Sequence, residues 1–488
     1  MPECFKPRDK SECIDSSQVA EMVINISSED DMREKIFKKK YYCKNNKRKK
    51  QQPFPDLDTF KFTDYDCIGF DLDNTVCRYK IGNLLRLEYK LISEYLVHKY
   101  GYEECLLLPL DDDMDFMQKG LLLDIRRGNF LKCASNGTIL RATHGMKPLT
   151  RDNIKEIYGS DRIFDPVIDF ARSFYDQGPT SNDIRSFKDY FDMATSVAIA
   201  RVIDAQDRSP EGPIDDYTDL WRDVHAAMCS LYRKEYFRCD KGGYFTELKE
   251  HPENYLYEAS DRLKKWLKSI NEHTFTCLIS GSSLDYASHI AEFTLGPDWR
   301  DYFDIMVCTS KKPGFFTENR PFLCHNDFDI GDEVPPYKLK IDGTYAHGNW
   351  NDLLSLIKRE TSLDDPHCLY VGDHLCQDIF IPAMMGIDTV AIVEEMAAEG
   401  MCGDSMDHDA GSDLMSTYWG SFFTTDGDKN LFGQERINTL YGSILLGNTR
   451  LAIPALEAVA TKPIKHQFSA FTNDTSGFFP GEPVILHF

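Results

Sequence analysis

The chain has 488 residues, of which 42% are hydrophobic, and a formal net charge of −23. This length and apolar content fit a large globular protein and exclude a short module. The strong acidity argues against a body that binds nucleic acid or an anionic membrane surface.

The first 50 residues differ from the rest in charge. They hold 13 Lys/Arg against 9 Asp/Glu, and the stretch 38–50, KKKYYCKNNKRKK, is the most basic. Such runs are more often solvated and disordered than nuclear-import or RNA-contacting segments. We therefore expect residues 1–55 to form a disordered basic tail. If the protein enters the nucleus or contacts nucleic acid, we expect it to do so through this tail. No signal peptide and no run near the ~18 apolar residues of a membrane helix is found, so we expect a cytoplasmic protein without a membrane partner.

The stretch IGFDLDNT, residues 68–75, places two carboxylates at the end of an apolar run. The residues CIGF before Asp71 predict a short strand that is buried on both faces. Asp71 and Asp73 then lie at its carboxyl end, where open α/β sheets bind ligands. The alternative is a solvated loop or a helix N-cap, which two neighbouring Asp residues also suit.

The chain after this strand is predicted to be an insertion. An amphipathic helix is expected from Asn83 to Tyr100, with Gly101 as its stop signal. Much of the following sequence also has a helical pattern. A single buried strand cannot stand alone, so the first strand must join the sheet that forms further along the chain. We therefore predict that residues 81–255 form an inserted, mainly helical cap.

Helices and strands alternate between residues 256 and 395, which predicts an α/β fold with a doubly wound parallel sheet. Residues 56–80 and 256–400 would form this core. The apolar stretch YWGSFF predicts that a C-terminal extension, residues 401–488, packs on the core. The predicted strands are Phe275–Ile279, Asp304–Cys308, Cys368–Gly372 and Thr389–Val393, and the helices lie near 263–270, 284–295, 353–357 and 376–385.

Reactive side chains follow four of the predicted strands. Because the carboxyl ends of parallel strands meet at one edge of a sheet, we expect these groups to converge. A carboxylate nucleophile, a second carboxyl group, hydroxyls, an ammonium and further carboxylates are what phosphoryl transfer through an aspartyl-phosphate needs. In chain order the groups are Asp71 and Asp73, then Ser280, Gly281 and Ser282, then Lys312, and finally Asp373 and Asp378.

Each group has an expected role. Asp71 attacks phosphorus, and Asp73 protonates the leaving oxygen and later activates water. Ser280, with the backbone amides and hydroxyl of residues 281–282, holds a phosphoryl oxygen, and Lys312 neutralises phosphate charge. Mg²⁺ is the expected cofactor, because it prefers few protein oxygens plus water and phosphate. Its expected ligands are Asp71, the backbone carbonyl of Asp73, and Asp373, and Asp378 orients them.

The order Asp-x-Asp-x-Thr, Ser after an apolar strand, Lys, and Gly-Asp-x4-Asp resembles the phosphatases of the haloacid dehalogenase superfamily. More narrowly, residues 56–470 resemble the 5′-nucleotidase domain-containing family, relatives of cytosolic purine 5′-nucleotidase. This resemblance implies the same roles for the residues above, and it prefers Lys312 to Lys311 because the family's lysine directly precedes proline. The similar stretches are FDLDNTVCRY (70–79), GNFLKCASNGTILRATHG (128–145), KKPGFF (311–316), YVGDHLCQDI (370–379) and YWGSFF (418–423).

The resemblance has one departure, in the cap. The purine nucleotidases hold substrate with an Arg and an Asp on a cap helix, whereas the matching segment DVHAAMC, residues 223–229, contains no Arg and, beyond its first residue Asp223, no Asp. His225 is kept as a candidate cap contact, and His144 and His374 are expected to be structural. The expected partner is a small phosphate ester, foremost a nucleoside 5′-monophosphate, and a homo-oligomer is allowed for. A sugar or small-metabolite phosphatase, or a binding protein with little turnover, are the alternatives.

Overall fold

The structure is a computed structural model that describes residues 58–167, 183–401, 412–426, 436–472 and 474–481. The predicted basic tail lies outside these residues. None of the helices in the described ranges is long and apolar enough to cross a membrane. The strands, labelled in chain order, are β1 Thr59–Phe60, β2 Cys67–Phe70, β3 Leu122–Asp124, β4 Asn129–Cys133, β5 Ile139–His144, β6 Lys147–Pro148, β7 Ile184–Ser186, β8 Phe275–Ile279, β9 Ile305–Cys308, β10 Phe322–Asn326, β11 Asp329–Val334, β12 Gly343–His347, β13 Cys368–Gly372, β14 Asp388–Ile392, β15 Thr424–Asp426, β16 Arg436–Asn438, β17 Leu451–Ile453 and β18 Phe468–Ser469.

Helices connect and cover these strands. Their boundaries follow local signals: Ser260 accepts a hydrogen bond from Leu263 N at the start of one helix, and Gly101 ends another with φ 75°. The α-helices are Ile81–Tyr95, Arg151–Tyr158, Tyr190–Arg208, Thr218–Leu231, Lys234–Cys239, Gly243–Glu250, Pro252–Tyr255, Asp261–Asn271, Leu284–Leu295, Gly314–Thr317, Trp350–Thr361, Ile381–Met384, Glu395–Ala398, Leu440–Asn448 and Leu456–Ala460.

Within the described residues, the central sheet has nine strands in the order β11-β10-β12-β9-β8-β2-β13-β14-β17. The strands from β12 to β17 all run parallel, and the hairpin β10–β11 is antiparallel at one edge. Strand β2 lies between β8 and β13 in the sheet. In sequence, the whole inserted segment, residues 81–255, separates β2 from β8. The mainly parallel sheet of the α/β prediction is confirmed.

Both faces of the sheet are buried. Along β2, Ile68 and Phe70 contribute to one apolar core, while Cys67 contributes to the other. Helices Asp261–Asn271 and Leu284–Leu295 pack into the first core, and helix Trp350–Thr361 packs into the second. Strands that are buried on both faces read as continuous apolar runs, which is why β2, β8 and β13 were visible in the sequence.

The predicted elements of the core agree with the structure, with local differences. The predicted helix near 376–385 is a wide helical turn, Leu375–Phe380, followed by the short helix Ile381–Met384. The hairpin β10–β11 and strand β12 were not predicted. Strand β11 reads DIGDEV and is largely exposed, so it lacks the apolar pattern from which a strand is recognised.

The inserted chain is less helical than predicted. It contains long helices, among them Ile81–Tyr95, Tyr190–Arg208 and Thr218–Leu231. In the described part of the insertion, however, it also forms a five-stranded antiparallel sheet in the order β6-β5-β4-β3-β7. Strand β4 is buried at each of its five positions. The Asn-Gly pair at 136–137 between β4 and β5 was the hairpin signal that could have indicated this sheet.

The described residues after position 411 pack against the rest of the molecule. Strand β17 extends the central sheet by pairing with β14, and Trp419 is fully buried. The indole of Trp419 donates to Phe116 O at 2.6 Å. Lys132 of β4 donates to the carbonyl oxygens of Trp419 and Ser421. The stretch 418–423 therefore contacts the inserted sheet as well as the core.

Candidate active site

The predicted reactive residues meet at the carboxyl edge of the central sheet. The amide of Asp71 donates to Val371 O at 2.9 Å, so the pairing of β2 with β13 continues one residue past β2. The chain then turns at Asn74, whose φ is 52°. This turn leaves Asp71 and Asp73 at the end of the strand in the centre of the sheet.

Lys312 links two of the acidic residues. Its ammonium lies 2.7 Å from Asp71 Oδ1 and 2.6 Å from Asp378 Oδ1, and it donates to the Tyr370 hydroxyl at 3.2 Å. Burial alone would lower the pKa of Lys312, but Asp378 and Asp71 raise it well above its usual value. Lys312 is therefore a permanent cation at this edge, and the neighbouring Lys311 is exposed.

Three buried carboxylates lie close together. Asp71, Asp373 and Asp378 each offer an oxygen atom, and these oxygens lie within 4.8 Å of one another. The pKa of Asp373 is raised well above its usual value, first by burial and then by the charges of Asp71 and Asp378. Clustered carboxylate oxygens with excess negative charge are the ligands that hard divalent cations prefer, so these residues fit a hard divalent cation.

Asp378 is held in place on both of its oxygens. Oδ1 accepts from Lys312, and Oδ2 accepts from the backbone amide of His374 at 3.1 Å. Burial raises the pKa of Asp378, and the ammonium of Lys312 opposes that shift. These contacts tie Asp378 to Lys312 and to the backbone, and one of its oxygens also lies within 4.8 Å of oxygens of Asp71 and Asp373.

Asp73 has a different environment from Asp71. Its Oδ1 accepts a hydrogen bond from the Tyr79 hydroxyl at 2.8 Å, and its Oδ2 accepts one from the Ser282 hydroxyl at 2.8 Å. Burial, and then the charge of Asp71, raise the pKa of Asp73 to about 6. A carboxyl group with a pKa near neutrality can both donate and accept a proton at physiological pH.

The loop after β8 brings two hydroxyls to the same place. The fully buried Ser280 donates to Asp73 Oδ2 at 3.4 Å, and it accepts from the amide of Ser282 at 3.0 Å. A Cβ atom at Gly281 would meet no atom within 4 Å. The space beside Gly281 is therefore open next to the two hydroxyls.

Among the described contacts, the rings of the candidate histidines make no hydrogen bond or ion pair to the carboxylates described above, and one of these rings accepts hydrogen bonds from backbone amides. The ring of His225 lies 3.7 Å from Cys229 Sγ and 5.6 Å from the Trp221 ring centroid. In the described chain, no hydrogen bond or ion pair joins His225 to the groups at the strand ends. His374 caps the next helical turn through Nδ1, and His144 bridges Asn129 and Asp207 at 2.8 and 2.9 Å.

Sequence reasoning missed two tyrosines. Tyr79 holds Asp73, and Tyr370 joins Lys312 to the backbone by donating to Ile279 O at 3.1 Å. The signal for Tyr370 was a hydroxyl inside the apolar strand CLYVG, which needs a partner when it is buried. Tyr79 follows Asp73 by six residues, and no spacing rule indicated their contact.

Comparison with known proteins finds a family and named relatives that are similar to this chain. The model of the 5' nucleotidase family matches residues 58–417. The human 5'-nucleotidase domain-containing protein 1 is 33% identical over 462 residues, which cover 88% of this chain and 97% of the relative. The Bos taurus protein of the same name is 33% identical over 451 residues, with the same coverage. The Rattus norvegicus 5'-nucleotidase domain-containing protein 2 is 26% identical over 349 residues, which cover 69% of this chain and 58% of the relative.

Proposed function

The chain belongs to the 5' nucleotidase family, and from that premise we propose that it is a Mg²⁺-dependent phosphomonoester hydrolase that acts on nucleoside 5′-monophosphates. Its fold would be that of the haloacid dehalogenase superfamily, with residues 56–80 and 256–400 as the core, 81–255 as the cap and 401–488 as a packed extension. The mainly parallel sheet with the reactive groups at one edge supports this proposal.

One observation carries the proposed mechanism: Asp71 and Asp73 are two residues apart but have separate partners. Asp71 is paired with the Lys312 ammonium, which holds its carboxyl group in position to attack. Asp73 is held by Tyr79 and Ser282 and has a pKa of about 6. The site therefore contains a lysine-paired nucleophile beside a proton carrier.

The reaction would proceed in two steps. In the first, a carboxylate oxygen of Asp71 bonds to phosphorus as the ester P–O bond breaks, and Asp73 gives its proton to the leaving alkoxide. In the second, Asp73 takes a proton from water as that water attacks the phosphorus of the aspartyl-phosphate. The carboxylate of Asp71 is released with inorganic phosphate, so atoms and charges balance.

The remaining groups would handle charge. Mg²⁺, when bound, would neutralise the phosphoryl oxygens, and Asp71, Asp373 and the backbone carbonyl of Asp73 would hold it. Lys312 and the hydroxyls of Ser280 and Ser282 would bind the phosphoryl oxygens. Asp378 would orient Lys312, as its 2.6 Å contact supports.

The nucleotide preference follows from the relatives, which are named as 5'-nucleotidase domain-containing proteins. The segment 223–229, which resembles the substrate-holding cap helix of the family's purine enzymes, contains no Arg, and this supports a second candidate. A sugar phosphatase, or a phosphate-ester-binding protein with little turnover, would keep the strand-end residues and change the cap helix.

The test is phosphate release by the wild type and by Asp71→Asn, with Mg²⁺ and with EDTA. The panel should contain nucleoside monophosphates, sugar phosphates and p-nitrophenyl phosphate. We expect release that needs both Asp71 and metal and is fastest with a nucleoside 5′-monophosphate. A folded, Mg²⁺-binding wild type that releases no phosphate from any of them contradicts the enzyme and favours the binding protein.

A further inference from the structure

A second cation, Lys119, lies buried near the proposed active site. It precedes β3 in the inserted segment, and its side chain is 1% exposed. Its ammonium lies 4.0 Å from the Tyr190 ring centroid and 5.7 Å from that of Phe422. The Nζ atom has no hydrogen-bond partner among the described residues. A buried ammonium whose near neighbours are aromatic rings and one carboxylate at 3.4 Å keeps unused donor capacity, so this arrangement points to a ligand that completes it.

The surroundings of Lys119 contain further incomplete groups. Glu395 Oε2 lies 3.4 Å from Lys119 Nζ and accepts from the Tyr190 hydroxyl at 2.7 Å. Its other oxygen, Oε1, is buried and has no hydrogen-bond partner in the described part of the chain. Within the same residues, Asp189 Oδ1 is also buried and unpaired. One cation and two carboxylate oxygens therefore have free hydrogen-bonding capacity.

This group adjoins the catalytic edge. Asp189 Oδ2 lies 3.9 Å from Nε2 of His374, which directly follows Asp373. The charge of Lys119 acts on Asp373 and on Asp189, and it opposes the rise of the pKa of each. Asp373 in turn has an oxygen within 4.8 Å of one from Asp71. The side chain of Asp189 is 30% exposed, which gives the group an opening to solvent.

The charges decide which chemistry fits. A second phosphate group would meet the carboxylates of Asp189 and Glu395 beside the Lys119 ammonium, and like charges at short range repel strongly in a buried site. A hydroxyl group can accept from the ammonium and donate to a carboxylate in the same geometry. A ligand with neighbouring hydroxyls would therefore satisfy all three groups.

We propose that Lys119, Asp189 and Glu395 form a subsite that binds the hydroxyl groups of the leaving alcohol, with a sugar as the ligand class. Lys312 and the serines bind the phosphoryl group, and this subsite selects esters whose alcohol is a polyol. Because it presupposes phosphate esters at Asp71, the subsite rests on the proposed function.

The first measurement compares two substrates that share a phosphoryl group. Ribose 5-phosphate offers hydroxyls to the subsite, and p-nitrophenyl phosphate offers none. We expect Lys119→Met to lower kcat/KM for ribose 5-phosphate about 10- to 100-fold, the loss typical of a hydrogen bond to a charged group. For p-nitrophenyl phosphate we expect a change below about 3-fold on the same basis. Lys147→Met, at an exposed lysine of the insertion, is the matched control and should change neither value.

A purely structural role for Lys119 predicts a different result. Loss of a buried cation that only supports the fold would lower both kcat/KM values equally, and that outcome overturns the subsite. If Lys119→Met does not fold, Asp189→Asn replaces it. Asn is as good a helix N-cap as Asp, so this variant removes the charge while the helix that begins at Tyr190 is kept. The same split between the two substrates is expected.

Binding separates the subsite from the proposed activity. Calorimetry on the Asp71→Asn protein gives the Kd of ribose 5-phosphate and of inorganic phosphate. We expect ribose 5-phosphate to bind at least about 10-fold more tightly, and Lys119→Met to abolish the difference. Equal affinities, or no binding of ribose 5-phosphate, contradict the subsite. If ribose 5-phosphate binds more tightly than phosphate but the wild type does not hydrolyse it, the subsite is supported and the proposed phosphatase activity is contradicted.

Discussion

The Lys312 ammonium lies 2.7 Å from Asp71 Oδ1, with both side chains buried at the carboxyl edge of the sheet. The two residues are 241 positions apart in sequence, and they meet because β9 and β2 are parallel strands of one sheet. The pair holds the Asp71 carboxyl group in place before any substrate arrives. A nucleophile must be positioned and shielded from water, and this carboxyl group has a buried lysine partner and is itself buried.

Replacement of Lys312 tests this pair. Lys312→Met leaves the negative charges of Asp71, Asp373 and Asp378 without their cation. We expect the free energy of unfolding to fall by about 3 kcal/mol in EDTA, the usual cost of breaking a buried pair. We also expect kcat/KM to fall about 10³-fold, because a preorganised cation at a developing charge is lost. Urea unfolding and phosphate release with p-nitrophenyl phosphate measure the two effects.

Lys311→Met is the matched control for Lys312→Met. Lys311 precedes Lys312 directly, but it is exposed and donates no side-chain hydrogen bond among the described contacts. Its replacement should leave the free energy of unfolding within about 0.5 kcal/mol of the wild-type value and kcat/KM nearly unchanged. A larger loss for Lys311→Met than for Lys312→Met would contradict the choice of Lys312 as the functional lysine.

Metal removal should lower the stability of the wild type much more than that of Asp373→Asn. Three crowded carboxylates repel one another without a cation, so Asp373→Asn should unfold at a higher temperature than the wild type in EDTA. With Mg²⁺ at about 100 times its Kd, the wild type should gain about 2.7 kcal/mol through mass action, whereas the variant should gain much less. Thermal unfolding with and without Mg²⁺ measures both. Asp364→Asn, at an exposed carboxylate, is the control.

This metal test does not depend on turnover. Equal Mg²⁺-induced stabilisation of the wild type and Asp373→Asn would show that Asp373 is not a ligand. Such a result would direct attention to Asp378, whose oxygens share the cluster with Asp71.

Tyr79 is expected to keep Asp73 in position. In Tyr79→Phe, the Asp73 carboxylate loses the 2.8 Å hydrogen bond to Oδ1 and keeps the one from Ser282. We expect kcat to fall about 10-fold, less than the 10²- to 10⁴-fold expected of Asp73→Asn, because the proton carrier is retained but less well aligned. Steady-state kinetics on p-nitrophenyl phosphate measure kcat for the wild type and for both variants.

Tyr286→Phe is the control for Tyr79→Phe. The Tyr286 hydroxyl lies 2.8 Å from that of Tyr79 and makes no hydrogen bond to Asp73 among the described contacts. Its replacement should lower kcat less than that of Tyr79 does. If the two variants lose activity equally, the tyrosine pair acts as a unit and Tyr79 has no separate role.

The residues of the sheet edge could be predicted because each follows an apolar run in a fixed order. Strands β2, β8 and β13 are buried at every position, so their sequences are mostly apolar, with Thr276 and the Tyr370 hydroxyl as polar interruptions, until the reactive groups appear. Parallel pairing then brings those groups to one edge without further information. Asp71, Lys312 and Asp378 were placed together for this reason, and their contacts are found in the structure.

Other features could not be predicted because they depend on tertiary contacts that leave no helical or strand periodicity in the sequence. Strand β11 is an exposed acidic edge, and β17 has only three residues in a tail. The inserted sheet was masked by the helical pattern of its neighbours. Lys119 reads as one lysine in a mixed segment, and its burial against Tyr190 and Glu395 follows from how the insertion packs on the end of β14.

Lys132 should make stability depend on pH in the alkaline range. It is buried, and that burial, followed by the charge of Arg141, lowers its pKa to about 7. The unfolded chain would bind the proton with a pKa of about 10.4. Below pH 7 both states are charged and the full cost of burying the ammonium is present. Between pH 7 and about 10.4 the folded state loses the proton first, so the contribution of Lys132 to stability rises by up to about 1.4 kcal/mol per pH unit.

Lys132→Met separates this contribution from the other titrating groups. The free energy of unfolding from urea titrations at pH 7, 8.5 and 10 should increase for the wild type relative to the variant. At pH 7 the comparison also contains the loss of the hydrogen bonds to Trp419 O and Ser421 O, but that loss does not change the sign of the slope. Lys147→Met, at an exposed lysine, should follow the wild type at each pH. A difference between the wild type and Lys132→Met that is constant from pH 7 to 10 would mean that the buried amine keeps its proton, held by the two carbonyl oxygens.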